Sequence, residues 1–213
     1  MLKLHGVPMS NYYNMVKIAL LEKRLPFEEV VQPPTQDEPY LVKSPMGKIP
    51  TLETDRGVLT ETHAILDYLE DAHPTPAFRP ADAFARAKAR ELTQSIELYI
   101  ELVARRGLGV VFGRPVADDV KAGIKADLGK GIKAVNRLTK FGPWVAGQDL
   151  SYADFVLYYT LALGAISAKA NADIDLVGEL GAGAWLTRMA ARDSVKKADA
   201  DAAAFRKRMA ANR

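Results

Sequence analysis

Gly47-Lys48-Ile49-Pro50-Thr51-Leu52 is the most informative stretch of the sequence, together with the later segment Thr60-Glu61-Thr62-His63-Ala64-Ile65-Leu66-Asp67-Tyr68-Leu69. The first segment places a proline, which fixes the backbone φ angle, directly before an apolar strand. The second places a carboxylate and a hydroxyl where a turn leads into a helix, whose first N–H groups have no intrahelical partner. Because such N–H groups attract anions, the two segments predict one wall of a pocket for a small zwitterionic peptide.

The composition is that of an ordinary globular protein. Of 213 residues, 48% are hydrophobic and 26% are charged, and none is cysteine. The lack of cysteine excludes disulfides, thiolate zinc sites and a cysteine nucleophile. Since the chain has only three scattered histidines, His5, His63 and His73, we expect no metal site.

Charge and hydropathy predict a cytoplasmic protein without nucleic-acid or membrane partners. The net charge is +3, and part of the excess lies in Arg206-Lys207-Arg208 and Arg213, which we interpret as a solvated helix end. A duplex-binding protein would have a longer basic stripe. The start of the chain, Met1–His5, lacks the apolar run of a signal peptide, and no stretch reaches the ~18 apolar residues of a membrane span.

Strand and helix patterns alternate over residues 1–76. The predicted elements are a strand over Leu2–His5, a helix around Met15–Leu21, a strand over Pro26–Val31, a short irregular helix from Tyr40 to Lys43, a hairpin of Thr51–Thr54 and Val58–Thr60, and a helix from about Glu61 to Ala72. The order βαβ followed by ββα predicts a mixed sheet, in which a right-handed crossover joins the parallel pair.

A proline-rich linker, His73–Pro80, separates this part from a region with helical signals only. The predicted helices run over Asp82 to Phe112, Pro115 to Lys140, Tyr152 to Ser167, Ala184 to Ala191 and Val195 to Met209. The sequence therefore predicts two domains, a mixed α/β domain over residues 1–76 and an all-α helical bundle over residues 82–213. The long helix has more apolar faces than one core needs, which favours a homodimer.

These motifs resemble the soluble, cytosolic-type bacterial glutathione transferase family. The resemblance rests on Gly47–Leu52, on Glu61–Ile65 and on Ser10-Asn11-Tyr12-Tyr13, and it runs across nearly the whole chain. It implies a thioredoxin-like first domain that binds glutathione as co-substrate, and a helical domain that supplies the second-substrate site and dimer contacts. The implied activity is transfer of the glutathione thiolate to a small electrophile, a detoxification reaction that needs no metal.

Ser10 and Asn11 are the candidate catalytic residues. Both residues are favoured caps of the helix that follows, and the same donors, added to the helix dipole, favour a thiolate over a thiol. Many members of the family use a serine followed by proline here, and some use asparagine; Asn11 replaces that proline, so either residue can contact the sulfur, with Ser10 favoured. We expect Tyr12 and Tyr13 to be packing residues, although either is able to face the pocket.

The candidate substrate-binding residues are Lys48, Ile49, Pro50, Glu61 and Thr62. The resemblance implies a cis Pro50, with the backbone of Ile49 pairing with the cysteinyl unit of glutathione. Lys48 is a candidate for the glycyl carboxylate or simply a surface lysine, and Lys43 is a weaker candidate. Glu61 and Thr62 are either an ordinary first helical turn or, by resemblance, the residues that hold the γ-glutamyl ammonium and carboxylate; His63 is a possible neighbour.

Two further patterns lie in the helical part. Ser151-x-x-Asp154 before an apolar run is a capping box, which we interpret as structural, so that Ser151→Ala should cost about 0.5–2 kcal/mol and spare the chemistry. The second-substrate site is expected to include Tyr99, Arg105, Arg106 and Phe112, although these residues could equally form core or dimer contacts.

Two alternatives to a transferase remain: a non-catalytic binding or regulatory protein of the same fold, and a glutathione-dependent isomerase or peroxidase.

Overall fold

The computed structural model describes residues 1–211, so that Arg213 of the predicted basic tail lies outside the described residues. Its contacts divide the chain into two compact units. The first unit comprises Met1–Ala77 together with the described residues from Ala191 to Ala211, and the second comprises Phe78–Ala190. The bounds predicted from the sequence, 1–76 and 82–213, stay a prediction.

The first unit contains the mixed sheet that the sequence predicts. Its elements are β1 (Leu2–Gly6), α1 (Asn11–Glu22), β2 (Phe27–Val31), α2 (Glu38–Leu41), β3 (Thr51–Thr54), β4 (Gly57–Leu59), α3 (Thr62–Ala72) and, at the end of the chain, α10 (Asp193–Ala211). Within the described residues the strand order is β2-β1-β3-β4, with β1 parallel to β2 and antiparallel to β3, and β3 antiparallel to β4. This is the thioredoxin-like βαβ-ββα arrangement.

Apolar residues at matched positions form the core of this unit. Leu4 of β1 lies opposite Leu52 of β3, and both side chains are fully buried. Ile18 of α1 and Leu66 of α3 are buried as well, and the two helices pack against each other. Burying a leucine or isoleucine side chain contributes about 1.5–3 kcal/mol, so this small cluster stabilises the sheet and both helices together.

Ion pairs and hydrogen bonds join α1 to α10 and to the residue that precedes it, Arg192. The guanidinium of Arg192 donates to Glu22 at 2.8 and 2.6 Å, and Ser194 Oγ donates to the same carboxylate at 2.5 Å. The ammonium of Lys17, which is fully buried, donates to Asp201 and to Glu29 of β2 at 2.6 Å each. A buried ammonium needs such partners, because an unpaired one would be strongly destabilising.

The second unit is helical, as predicted. Its helices are α4 (Ala83–Ile96), α5 (Leu102–Arg105), α6 (Asp118–Leu138), α7 (Tyr152–Ala172), α8 (Leu176–Glu179) and α9 (Gly183–Ala190). The buried α7 begins with the predicted capping box, and Asp154 accepts hydrogen bonds from Ser151 N, Val145 N and Trp185 Nε1 at 2.8–2.9 Å. Burial raises the pKa of this carboxyl although these donors oppose the shift.

The single helix predicted from Asp82 to Phe112 is wrong in its second half. A π-helical segment, Glu97–Glu101, joins α4 to α5, the helix ends at Arg105, and Leu108–Phe112 is a separate 3₁₀ turn. The break falls at Gly107, whose carbonyl accepts from Asn171 Nδ2 at 3.1 Å. A Cβ at this position would lie 2.4 Å from that nitrogen, so only glycine allows the approach.

None of the helices within residues 1–211 combines the length and the apolar character needed to cross a membrane.

Candidate functional site

The sheet register brings the candidate residues of the first unit to one edge. β1 ends at Gly6, beside the start of β3, because His5 pairs with Thr51. β4 ends at the same edge, because Leu59 pairs with Leu52. The loop to Ser10, the segment Lys48–Pro50 and the start of α3 therefore all leave the sheet on this side, and α1 and α3 both begin there.

Ser10 is the N-cap of α1. Its backbone is extended, and its Oγ accepts a hydrogen bond from Tyr13 N at 3.3 Å. A hydroxyl that accepts in this way keeps its own O–H for donation. Ser10 is half-buried, whereas Asn11, the first residue of the helix, is buried.

Tyr13 is a packing residue, and the structure identifies its partner. The ring is 1% exposed, and its hydroxyl donates to Glu29 Oε2 at 2.6 Å. Burial, followed by this hydrogen bond and the charge of Glu29, raises the pKa of Tyr13 far above its usual value. A phenol that stays neutral and donates to a carboxylate is not available to a ligand sulfur.

Side-chain hydrogen bonds to the backbone hold the loop that carries Lys48 and Ile49. Lys48 O accepts from Tyr40 Oη at 2.9 Å and from Ser44 Oγ at 2.8 Å. The preceding Gly47 adopts a left-handed φ of 64°, and a Cβ there would lie 2.1 Å from Thr35 O, which explains the glycine. The Ile49–Pro50 bond is cis, as the resemblance implied.

The structure separates the two lysine candidates. Lys43 Nζ lies 3.1 Å from Glu53 Oε2, and this hydrogen bond lowers the pKa of Glu53. His5 Nε2 lies 3.1 Å from the same oxygen; burial and the nearby Lys43 lower the pKa of His5. Lys48 is exposed, and no ion pair to it occurs within residues 1–211. Lys48 is therefore the lysine whose charge remains available to a ligand.

Glu61 has a backbone conformation that the sequence did not reveal. It is the N-cap of α3 with φ 64° and ψ 116°, and its exposed side chain makes no capping hydrogen bond. Positive φ is uncommon for a residue with a long side chain, and such conformations cost about 1–3 kcal/mol and cluster at functional sites. The next residue, Thr62, is buried at the first position of the helix.

The residues predicted for a second substrate lie in the second unit. Arg105 pairs with Glu101, and Arg106 Nη2 lies 2.8 Å from Asp127 Oδ2. Tyr99 and Phe112 are exposed, at 49% and 60%. The assignment of these four residues to a second-substrate site stays a prediction.

In the part of the chain that the structure describes, no group of three or more acidic or histidine side chains has the arrangement of a metal site. The edge instead combines two helix N-termini, where anions are stabilised, with an exposed ammonium at Lys48 and an exposed carboxylate at Glu61. Such an arrangement suits a flexible ligand that carries several anionic groups and one cationic group.

A thioredoxin-like sheet with this edge, together with a helical unit, defines the architecture of the glutathione transferases. A sequence profile described as "Glutathione S-transferase, N-terminal domain" matches residues 4–77. A glutathione S-transferase from Pseudomonas putida is 47% identical over 180 residues, which cover 84% of this chain and 82% of that relative. The chain therefore belongs to the glutathione S-transferase family.

Solved structures share the fold. A glutathione S-transferase from Rhodospirillum rubrum F11 superposes with a TM-score of 0.73 at 27% identity, covering 93% of this chain and 91% of the other. A glutathione transferase homologue from sulfitobacter, solved with bound glutathione, has a TM-score of 0.73 at 23% identity, with coverage of 93% and 97%.

Proposed function

We propose that the protein binds glutathione at the described edge of the sheet and conjugates its thiolate to small electrophiles. The observation that carries the proposal is the meeting of the N-termini of α1 and α3 with the Lys48–Pro50 segment at that edge. Membership of the glutathione S-transferase family supports it independently.

Ser10 is the proposed donor to the sulfur. It is half-buried at the N-cap, whereas Asn11 is buried. A free thiol has a pKa near ~8.5, and lowering this value by about 2 units requires roughly 2.7 kcal/mol in favour of the anion. A hydrogen bond to a charged group contributes about 1.5–3 kcal/mol, so one hydroxyl and the dipole of α1 suffice. Asn11 is the alternative donor.

The remaining groups of the tripeptide have partners of matching charge. Lys48 is proposed to bind the glycyl carboxylate, and the backbone of Ile49, turned by Pro50, to pair with the cysteinyl unit. Thr62 and the first N–H groups of α3 are proposed to bind the γ-glutamyl carboxylate, while the carboxylate of Glu61 binds the ammonium. The bound ligand is held at three points, which orients the sulfur for attack.

The chemical step is attack of the thiolate on an electrophilic carbon. With an aryl halide a C–S bond forms, and the halide leaves with the electron pair of the C–halogen bond. With an α,β-unsaturated carbonyl a C–S bond forms at the β carbon, and a proton from water is added at the α carbon. In both reactions the protein supplies position and charge stabilisation and is itself unchanged.

Calorimetry with glutathione, retention on immobilised glutathione and turnover of a chloronitrobenzene test the proposal together. We expect saturable binding, a thiolate absorbance that titrates below the pKa of free glutathione, and conjugate formation. An ethyl ester at the glycyl carboxylate and an acetylated amino group should each weaken binding. Binding without turnover across a varied electrophile panel would instead support the non-catalytic protein, and no association at millimolar concentration (about 4 kcal/mol of binding) would refute the proposal.

We further propose a cytoplasmic homodimer, as expected from the family. Light scattering on the purified protein gives the number of subunits, and a mass close to the 23.3 kDa of one chain would contradict the dimer.

A further inference from the structure

The carbonyl of Lys48 is held by two side chains at once. Tyr40 Oη donates to it at 2.9 Å and Ser44 Oγ at 2.8 Å. Both donors are well buried, with Tyr40 6% and Ser44 2% exposed. A carbonyl oxygen has two lone pairs, so both of its acceptor positions are taken and its direction is fixed by two separate side chains.

Fixing this carbonyl also fixes the N–H of Ile49. The Lys48–Ile49 peptide is trans, since the cis bonds in residues 1–211 are Ile49–Pro50, Thr75–Pro76 and Gly142–Pro143. In a planar trans peptide the C=O and the following N–H point in opposite directions. The Ile49 N–H therefore points away from the two hydroxyls, and within the described chain neither this N–H nor the Ile49 carbonyl makes a backbone hydrogen bond.

We propose that Tyr40 and Ser44 are positioning residues for glutathione, which orient the peptide before Ile49 so that its N–H donates to the cysteinyl carbonyl. The inference rests on the proposed function, because it names what holds one part of that site. The hydroxyls of Tyr40 and Ser44 both donate to Lys48 O, and they act on the ligand through the Lys48–Ile49 peptide. Buried donors lock this orientation before the ligand arrives, which lowers the entropy lost on binding.

Each of the two hydroxyls should partly compensate for the loss of the other. With one donor removed, the other still orients the carbonyl, so each single loss has a modest effect. With both removed, the buried carbonyl is left without either donor and the peptide plane is free to turn. Neighbouring groups that share a partner show such coupling, so the loss of affinity in the double variant should exceed the product of the two single losses.

The test uses the full chain and the variants Tyr40→Phe, Ser44→Ala and the double variant. Calorimetry gives Kd for glutathione and for S-methyl glutathione. We expect each single variant to raise both Kd values about twofold, because the remaining donor still orients the carbonyl, and the double variant to raise them by clearly more than about fourfold. The glutathione KM should rise in parallel while kcat changes less than about twofold, and the pKa of the bound thiol should stay at the wild-type value, because the sulfur is held elsewhere.

Ser167→Ala is the matched control. Ser167 is also fully buried and donates to a backbone carbonyl, Ala104 O, at 2.6 Å, but it lies in the second unit. It should lose a similar amount of stability to Ser44→Ala and leave both Kd values unchanged. Wild-type Kd values in Tyr40→Phe and Ser44→Ala, or an equal rise in Ser167→Ala, would overturn the positioning role.

If the proposed function itself were wrong, the wild-type protein would bind no glutathione, and this result differs from a wild-type Kd in the two single variants. If the double variant does not fold, the two single variants decide the question, because each keeps one donor on the carbonyl.

Discussion

Substitution of Ser10 separates helix capping from stabilisation of the thiolate. In Ser10→Ala the N–H of Tyr13 loses its acceptor, a loss of about 0.5–2 kcal/mol that should be near the lower end because the bond is 3.3 Å long. The bound thiolate loses a donor that contributes about 1.5–3 kcal/mol. At roughly 1.36 kcal/mol per pKa unit, the pKa of bound glutathione should rise by about 1–2 units.

Ser10→Asp makes the two effects move in opposite directions. Aspartate is as good an N-cap as serine, and its charge interacts favourably with the N-terminus of α1. The stability of the protein should therefore stay at or above the wild-type value. The same carboxylate has no proton to donate and repels a neighbouring thiolate, so the thiol pKa should rise above that in Ser10→Ala.

The assays are titration of the thiolate absorbance with glutathione bound, and unfolding in urea. Asp82→Ala is the control, because Asp82 Oδ1 caps α4 in the second unit by accepting from Ala85 N at 2.8 Å. It should lower the free energy of unfolding by a similar amount and leave the thiol pKa unchanged. A wild-type thiol pKa in both Ser10 variants would refute the reasoning and transfer the role to Asn11.

Three further predictions concern charged residues of the first unit. Lys48→Ala should raise Kd for glutathione about two- to fivefold, and the increase should be larger at low salt. Lys43→Ala should leave Kd unchanged, because Lys43 is paired with Glu53. Calorimetry at two salt concentrations measures both variants. Glu61→Gly should weaken glutathione binding because the carboxylate is lost, yet it should raise the melting temperature, because glycine adopts φ 64° without strain. A glutathione Kd equal to that of wild type would contradict the role proposed for Glu61. Burial raises the pKa of Glu22, but hydrogen bonds from Arg192 and Ser194 outweigh burial and hold this pKa below 4.5. The contribution of Glu22 to the free energy of unfolding is therefore present above pH 4.5 and is lost as the pH falls. Wild type and Glu22→Gln should differ in stability to urea at neutral pH and should become equal in acid.

The alternation of strand and helix in the first unit was predictable because local patterns determine it. Each predicted element is present there, from β1 to α3, with ends shifted by a few residues. The break after Arg105 was not predictable, because it depends on Asn171, which is 64 residues away and donates to the carbonyl of Gly107. A glycine within an apolar helical pattern does not by itself show that another helix approaches it.

The candidate site was predictable as a set of residues, but not as a set of contacts. The sequence favours Lys48 over Lys43 as a ligand partner, but it does not show that Lys43 is paired with Glu53. The pairing of β3 with β1 brings the same Glu53 to His5. Likewise the sequence does not show which tyrosine has a buried partner: Glu29, which accepts from Tyr13, reaches it through the crossover to β2. Long-range strand pairing therefore decides which side chains are already paired and which remain available to a ligand.

The conformation of Glu61 supports the proposal that a ligand binds at this edge. A helix start is capped best by serine, threonine, aspartate or asparagine, and a positive φ is adopted most easily by glycine or asparagine. Glutamate meets neither preference, since its side chain makes no capping bond and its φ is 64°. We propose that this residue, which is unfavourable for the backbone by about 1–3 kcal/mol and makes no cap, acts through its carboxylate. That carboxylate is exposed beside the N-termini of two helices, where a ligand ammonium accompanied by anionic groups is the complementary partner.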